Sequence, residues 1–191
     1  NFLFDGGEIK IASDGKISIT ASKKAPEYVT IRFKRPFSDN AYIYGDTWER
    51  GYGDLCLKAT KECTFMPWYF IACENGNNFC FGVKTGCNAM CHWTFDEKHV
   101  CLTLDIRCGC EAATLCGRTL HAAQLVILTL EGDFFDASVL FCKKMCDVPK
   151  VPKVPIYGGN DWYCNYGNNS HENIIRSAEF ISECAGDCEF R

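Results

Sequence analysis

Two segments bring together residue types suited to recognising a sugar. The first runs Gly45-Asp46-Thr47-Trp48-Glu49-Arg50-Gly51-Tyr52-Gly53-Asp54-Leu55. It sets Asp46, Glu49 and Asp54 around Arg50, with Trp48 and Tyr52 between them. An aromatic ring can stack on the C–H face of a pyranose while carboxylates accept hydrogen bonds from its hydroxyls. The same residues also suit a glycine-rich loop tied down by an Arg–carboxylate network with Trp48 as a packing residue, and the local chemistry alone favours that plainer reading. The second segment is Ile156-Tyr157-Gly158-Gly159-Asn160-Asp161-Trp162-Tyr163-Cys164-Asn165-Tyr166-Gly167. Aromatic rings, Asn amides and one acid gather there just past an apolar stretch. In α/β barrels the C-terminal end of a strand carries the active site. Asn160, Asp161 and Trp162 are therefore the expected ligand-facing residues, with an aromatic plug closing a barrel as the alternative.

The sulfur and imidazole groups show less order. The chain has 15 cysteines in 191 residues, an odd number, so a complete set of internal disulfides is impossible. Cys87 and Cys91 are four apart, as are Cys142 and Cys146, and Cys184 and Cys188, while no Cys-x-x-Cys pair occurs. The zinc-ribbon and dithiol redox motifs are thus absent. Cys73, Cys80 and Cys101 stand where a strand would place a small apolar residue, and free cysteine packs as one. Reduced thiols are the favoured reading, with some disulfides or an unlocalised metal site as alternatives. His92, His99, His121 and His171 have no ligand spacing to one another. Cys87-x-x-x-Cys91-His92 makes a poor metal site because neighbours on a strand point to opposite faces. No metal and no cofactor is expected. Asn168-Asn169-Ser170 is a formal glycosylation sequon.

The elements that would position these residues are mostly strands. Ile9 and Ile11, then Ile17 and Ile19, alternate with polar neighbours around Ser13-Asp14-Gly15-Lys16, whose Asp-Gly pair suits a tight hairpin. Val29, Ile31 and Phe33 share one face. Residues 68–73 and 79–83 form a second hairpin, 90–95 and 100–106 a third, and 124–130 a further strand. Such spacing predicts an antiparallel sandwich. The period then changes: Phe135, Val139, Cys142 and Cys146 predict a helix over 136–146. Pro149, Pro152 and Pro155 mark an extended connector. Beyond it, 154–162 reads as a strand running into the aromatic segment. A helix then starts at Ser170, with Ile174, Ala178, Ile181 and Ala185 as its stripe and Gly186 as its stop. The fold class is mainly β: a sandwich with a closing helix over 1–146, a Pro-rich linker over 147–155, and one β-α unit over 156–191. A lone β-α unit cannot satisfy a parallel strand, so the chain reads as a fragment ending at the opening of an α/β domain.

The sequence also resembles a known family. Asp46-x-Trp48-Glu49-Arg50-x-Tyr52-Gly53-Asp54-Leu55, Met66-Pro67-Trp68-Tyr69, Gly82-Val83-Lys84-Thr85-Gly86, Leu104-Asp105-Ile106-Arg107 and Tyr157-Gly158-Gly159-Asn160-Asp161-Trp162-Tyr163 occur in order. Together they are similar to the α-galactosidase (melibiase)-type glycoside hydrolases, from about residue 40 to the end. The resemblance implies an N-terminal β-sandwich followed by a (β/α)8 catalytic barrel, of which this chain would hold the first strand and helix. It implies retaining catalysis by two aspartates on later barrel strands, so neither catalytic residue is expected here. Asp161 matches a first-strand position that contacts substrate, and Trp162 an aromatic lining the sugar subsite. Asp46 and Trp48 match a sandwich loop reaching toward the barrel mouth. The cysteine load departs from the family.

Composition bounds the rest. Hydrophobic residues make up 47%, charged residues 23%, and the net charge is −4. A disordered or collagen-like chain is excluded. The charge balance and the absence of a dense Lys/Arg cluster argue against nucleic acid, and no apolar run approaches the roughly 20 residues of a membrane-spanning helix. The expected partner is an α-galactoside or related oligosaccharide, with no nucleic acid and no membrane. Self-association through the sandwich or the unpaired barrel strand is a further expectation. The thiols and the lack of a visible signal peptide favour a cytoplasmic setting. A free-standing carbohydrate-binding module and a purely structural sandwich are the competing readings.

Overall fold

The computed structural model describes residues 1–49, 55–63, 65–154 and 158–186. The chain divides into two compact units, Asn1–Asp147 and Val148–Arg191.

The first unit is an antiparallel β-sandwich. In chain order its strands are β1 (Phe2–Phe4), β2 (Gly7–Ile11), β3 (Lys16–Ala21), β4 (Tyr28–Lys34), β5 (Tyr42–Gly45), β6 (Lys58–Ala59), β7 (Met66–Pro67), β8 (Tyr69–Glu74), β9 (Asn77–Val83), β10 (Met90–Phe95), β11 (His99–Asp105), β12 (Arg107–Cys108), β13 (Glu111–Ala112) and β14 (Thr119–Glu131). The larger sheet has the order β1-β2-β3-β14-β9-β8-β5-β6, the smaller one β4-β11-β10-β7, and β12 pairs with β13. Turn chemistry sets the register. Gly15 adopts φ +83° between β2 and β3. Asn75 and Gly76 both take positive φ between β8 and β9, as a tight two-residue hairpin turn requires. At the β10–β11 turn, the Asp96 carboxylate accepts the amides of Lys98 and His99, each at 2.7 Å.

Alternation along the strands builds the core. Val100, Leu102 and Leu104 of β11 are fully buried while their neighbours are half-exposed. They meet Trp93 of β10, and both face Ile17, Ile19, Phe70 and Phe81 of the larger sheet. Phe70 and Phe81 stack at 5.1 Å, and Trp93 lies edge-on to each. The chain changes sheets at Trp68. Met66 and Pro67 pair with β10, whereas Tyr69 onward pairs with β9. Trp68 makes this corner in the left-handed region at φ +62°. Its carbonyl accepts both the Val83 amide at 3.2 Å and the Trp93 indole N–H at 3.1 Å.

Helix α1 (Phe134–Met145) covers the outer face of the larger sheet. Asp133 caps it by accepting the amides of Phe135 and Asp136. Its buried stripe is Ala137, Phe141 and Met145, set on Ile71, Cys80 and Val126. This corrects the sequence expectation: Phe135 is 69% exposed, and Val139 and Cys142 are exposed too. Both stripes have helical spacing, and the sheet selects the one that seats the Phe141 ring. Gly82 permits the close approach, since a Cβ there would stand 2.7 Å from Met145 Sδ and 2.8 Å from Phe141 Cζ.

The second unit contains α2 (Trp162–Asn165) and α3 (His171–Ala185). Ser170 caps α3 by accepting the Asn173 amide at 3.2 Å, and Gly186 closes it at φ +54°. The strand expected over 154–162 falls partly on residues 155–157, outside the described residues. Among the described residues 158–186 no strand forms, and Trp162 begins a helical turn instead. None of the side chains of α3 is buried; Ile181 and Ala185 of the expected stripe are half-buried, and Ile174 and Ala178 are exposed.

Among the described residues none of the 14 cysteines is in a disulfide. Cys80 and Cys91 are buried and Cys73 and Cys101 half-buried on strands, but seven are exposed, so core packing accounts for only part of the load. Among the described residues no cluster of three or more His, Cys, Asp or Glu could hold a metal ion, and no helix is long and apolar enough to cross a membrane.

Candidate functional site

Three of the sequence segments singled out above converge at one end of the larger sheet. Asp46 follows β5, Trp68 and Tyr69 open β8, and residues 82–86 leave β9. With Cys87 and the C-terminal turn of α1, they line a cavity of about 560 Å³. That volume suits a small-molecule ligand. Gly45 makes the convergence sterically feasible. A Cβ there would meet Met66 Sδ at 2.7 Å and keep β5 from closing on β7.

Asp46 is 2% exposed and lines this cavity. Its Oδ1 accepts the Thr47 amide at 2.9 Å, and its own amide donates to the Tyr69 carbonyl at 3.2 Å. A buried carboxylate that accepts a backbone amide is held in place as an acceptor. Thr47 Oγ1 beside it is buried without a hydrogen-bond partner. An orphaned buried hydroxyl is uncommon and marks a place where a ligand or water can donate.

An aromatic row leads out from the cavity. The Trp68 ring meets Trp48 edge-on at 5.3 Å, Trp48 lies 6.0 Å from Phe65, and Phe65 stacks on His92 at 4.3 Å. Trp48 and Phe65 are 48% and 45% exposed. Burial disfavours the charged form of His92 and pulls its pKa down, against the opposing pull of the Asp105 carboxylate. The row therefore presents neutral ring faces to solvent beside a buried carboxylate. That combination stacks on a C–H face and accepts from hydroxyls. The strained corner at Trp68 fits this position, because left-handed backbone at a bulky residue concentrates at functional sites.

Lys84 also lines the cavity, and its Nζ donates to Asp147 Oδ1 at 2.7 Å and Oδ2 at 2.5 Å. Leu104-Asp105-Ile106-Arg107 does not line the cavity. There Arg107 closes a 2.7 Å ion pair with Asp105 and lies 4.8 Å over the Tyr28 ring. Arg50, Tyr52, Gly53, Asp54, Ile156 and Tyr157 lie outside the described residues.

The second unit holds the remaining sequence-predicted residues. Asn160 and Asp161 line a separate cavity of about 670 Å³ with Arg176, Ser177 and Phe180 of α3. Asn160 Oδ1 accepts the Trp162 amide at 2.9 Å and thereby starts α2. Asp161 Oδ2 is buried without a partner, so this carboxylate has acceptor capacity to spare. Trp162 is 55% exposed and packs edge-on to Tyr166 at 5.9 Å rather than lining the cavity. Among the described residues, Thr47 Oγ1 and Asp161 Oδ2 are the two buried side-chain polar atoms without a partner, and both fall in segments the sequence marked for chemistry.

The sequence reading missed the roles of Phe65, His92 and Cys87. Phe65 and His92 join the row through a sheet corner that carries no local signature. No protein-family model matches the chain, and no curated protein sequence matches it.

Proposed function

We propose that the chain is the N-terminal part of a retaining glycoside hydrolase of the α-galactosidase type, supplying sandwich support and part of the sugar-binding site. The observation that carries this reading is the convergence of Asp46, Trp68, Tyr69 and residues 83–86 on one cavity, with the half-exposed Trp48 ring against Trp68. The resemblance rests on these segments taken together and in order. Trp48 and Phe65 offer stacking faces, and Asp46 a carboxylate on the cavity lining. Asn160 and Asp161 contribute a second polar surface on the other unit, and Trp162 an exposed ring. The acid/base and nucleophilic carboxylates are assigned to later strands of a barrel, so these residues bind rather than cleave.

A second reading is favoured by the same aromatic row. It belongs wholly to Asn1–Asp147, so the sandwich could act as a carbohydrate-binding module by itself. An aryl α-galactoside assay on the 191-residue chain tests the division of labour. No release of the aryl group is expected, together with measurable galactose binding by calorimetry. Turnover by this chain would overturn the assignment of catalysis to later strands, and absence of binding would overturn the sugar site.

A further inference from the structure

One thiol of the cavity wall, Cys87, meets a second thiol, Cys91, that is buried in the sandwich core. Cys91 Sγ lies 3.9 Å from Cys87 Sγ and 3.4 Å from the Ala89 carbonyl, so its S–H is shared between the two. The surroundings of the two sulfurs differ. Cys91 is fully buried and fixed on β10, where it pairs with Leu104. Cys87 is half-buried and lines both the Asp46 cavity and a neighbouring one of about 460 Å³. The loop between them is tied to β14: the Asn88 and Ala89 amides donate to Ala122 at 3.0 and 3.1 Å, and Asn88 Nδ2 donates to His121. Gly86, next to Cys87, takes φ +83° with open space where a side chain would stand. A disulfide needs the sulfurs to close from 3.9 Å to about 2.05 Å.

We propose that Cys87 and Cys91 form a hydroperoxide-reactive dithiol, with Cys87 as the attacking sulfur and Cys91 as the resolving one. The donated S–H pulls the Cys87 thiol down to about 7, while the same interaction and burial push Cys91 up. Cys73 and Cys80, raised by burial to about 11 and about 12, have no such poise. In the first step the Cys87 thiolate attacks one oxygen of hydrogen peroxide. The O–O bond breaks, Cys87 becomes a sulfenic acid, and the departing hydroxide takes up a proton and leaves as water. In the second step the Cys91 sulfur attacks the Cys87 sulfur. The S–S bond forms, the S–O bond breaks, and the Cys91 proton leaves with that oxygen as a second water. Two thiols and one peroxide thus give one disulfide and two waters. A small thiol reverses it by exchange. The loop closed is short, so the disulfide adds little chain-entropy stabilisation and suits a reversible role.

The chain offers a clean readout. Trypsin releases peptide 85–98, which contains Cys87 and Cys91 and no other cysteine. After treatment with one equivalent of hydrogen peroxide and alkylation, this peptide is expected two hydrogens lighter and unalkylated, ahead of the other cysteine peptides. Dithiothreitol should restore both alkylation sites. Cys91→Ala should instead leave a sulfenic acid on Cys87 that dimedone traps. Peptide 85–98 carrying two alkylated thiols while other cysteines oxidise would overturn the proposal. That result is read on the unaltered chain, so it stands even if the variant folds poorly.

Discussion

Gly82→Ala tests how α1 is seated on the sheet. The added methyl would meet Phe141 Cζ at 2.8 Å and Met145 Sδ at 2.7 Å, against 3.4 Å for ordinary contact. Each neighbour must therefore yield by about 0.6 Å or more. Met145 can swing its thioether, but Phe141 is fully buried on Ile71, Cys80 and Val126 and has no free direction. Overpacking of this kind costs about 1–3 kcal/mol. The intrinsic gain of replacing glycine within a strand, roughly 0.5–1 kcal/mol, offsets part of it. The net expectation is a loss of about 1–2 kcal/mol in urea unfolding with the slope unchanged. Met145→Ala added to Gly82→Ala should recover part of the loss, a coupling that a double-mutant cycle isolates. A Gly82→Ala protein as stable as the parent, or strictly additive losses, would refute the docking of α1 over β9.

Three further outcomes follow from single side chains. Asp133→Ala removes the acceptor for the Phe135 and Asp136 amides and should lower stability by about 1 kcal/mol, read by thermal denaturation. Trp93→Ala empties the centre of the sandwich and should cost about 3–5 kcal/mol, with loss of near-ultraviolet dichroism if the Trp68 corner loosens with it. The Arg107 guanidinium holds the Asp105 carboxyl below its usual range. Because the folded value is the lower one, this pair's stabilisation is present above the unfolded carboxyl pKa of about 3.9 and is lost as pH falls through the folded value. Asp105→Asn should therefore flatten the acid limb of the stability profile, and an unchanged limb would count against the pair.

The parts legible in sequence are those set by near neighbours. Alternation at Val29, Ile31 and Phe33 and the turn residues Asp14-Gly15 report backbone preferences that act locally, as does the Ser170 cap. The stripe of α1 was misread because a helix with apolar residues on two sides gives two valid stripes, and the choice depends on the sheet beneath it. The corner at Trp68 was invisible because left-handed backbone at an aromatic residue is imposed by tertiary pairing, here by β10 on one side and β9 on the other. Asp46 and Trp48 were identifiable by type, but their closure with Trp68 and Lys84 depends on strand order. The Cys87–Cys91 contact was hidden for the same reason, since spacing of four brings side chains together in a helix and carries no such rule in a loop.

The sugar site rests most directly on Trp48. Galactose and raffinose titrated into the chain while tryptophan fluorescence is followed should give a saturable change at about millimolar sugar, about 4 kcal/mol of binding. Trp48→Ala should weaken that binding about fivefold to tenfold, up to about 1.4 kcal/mol, and leave urea unfolding nearly unchanged because the ring is half-exposed. A titration indistinguishable between the two proteins, or no response in either, would contradict a sugar site at the Asp46–Trp48 cavity.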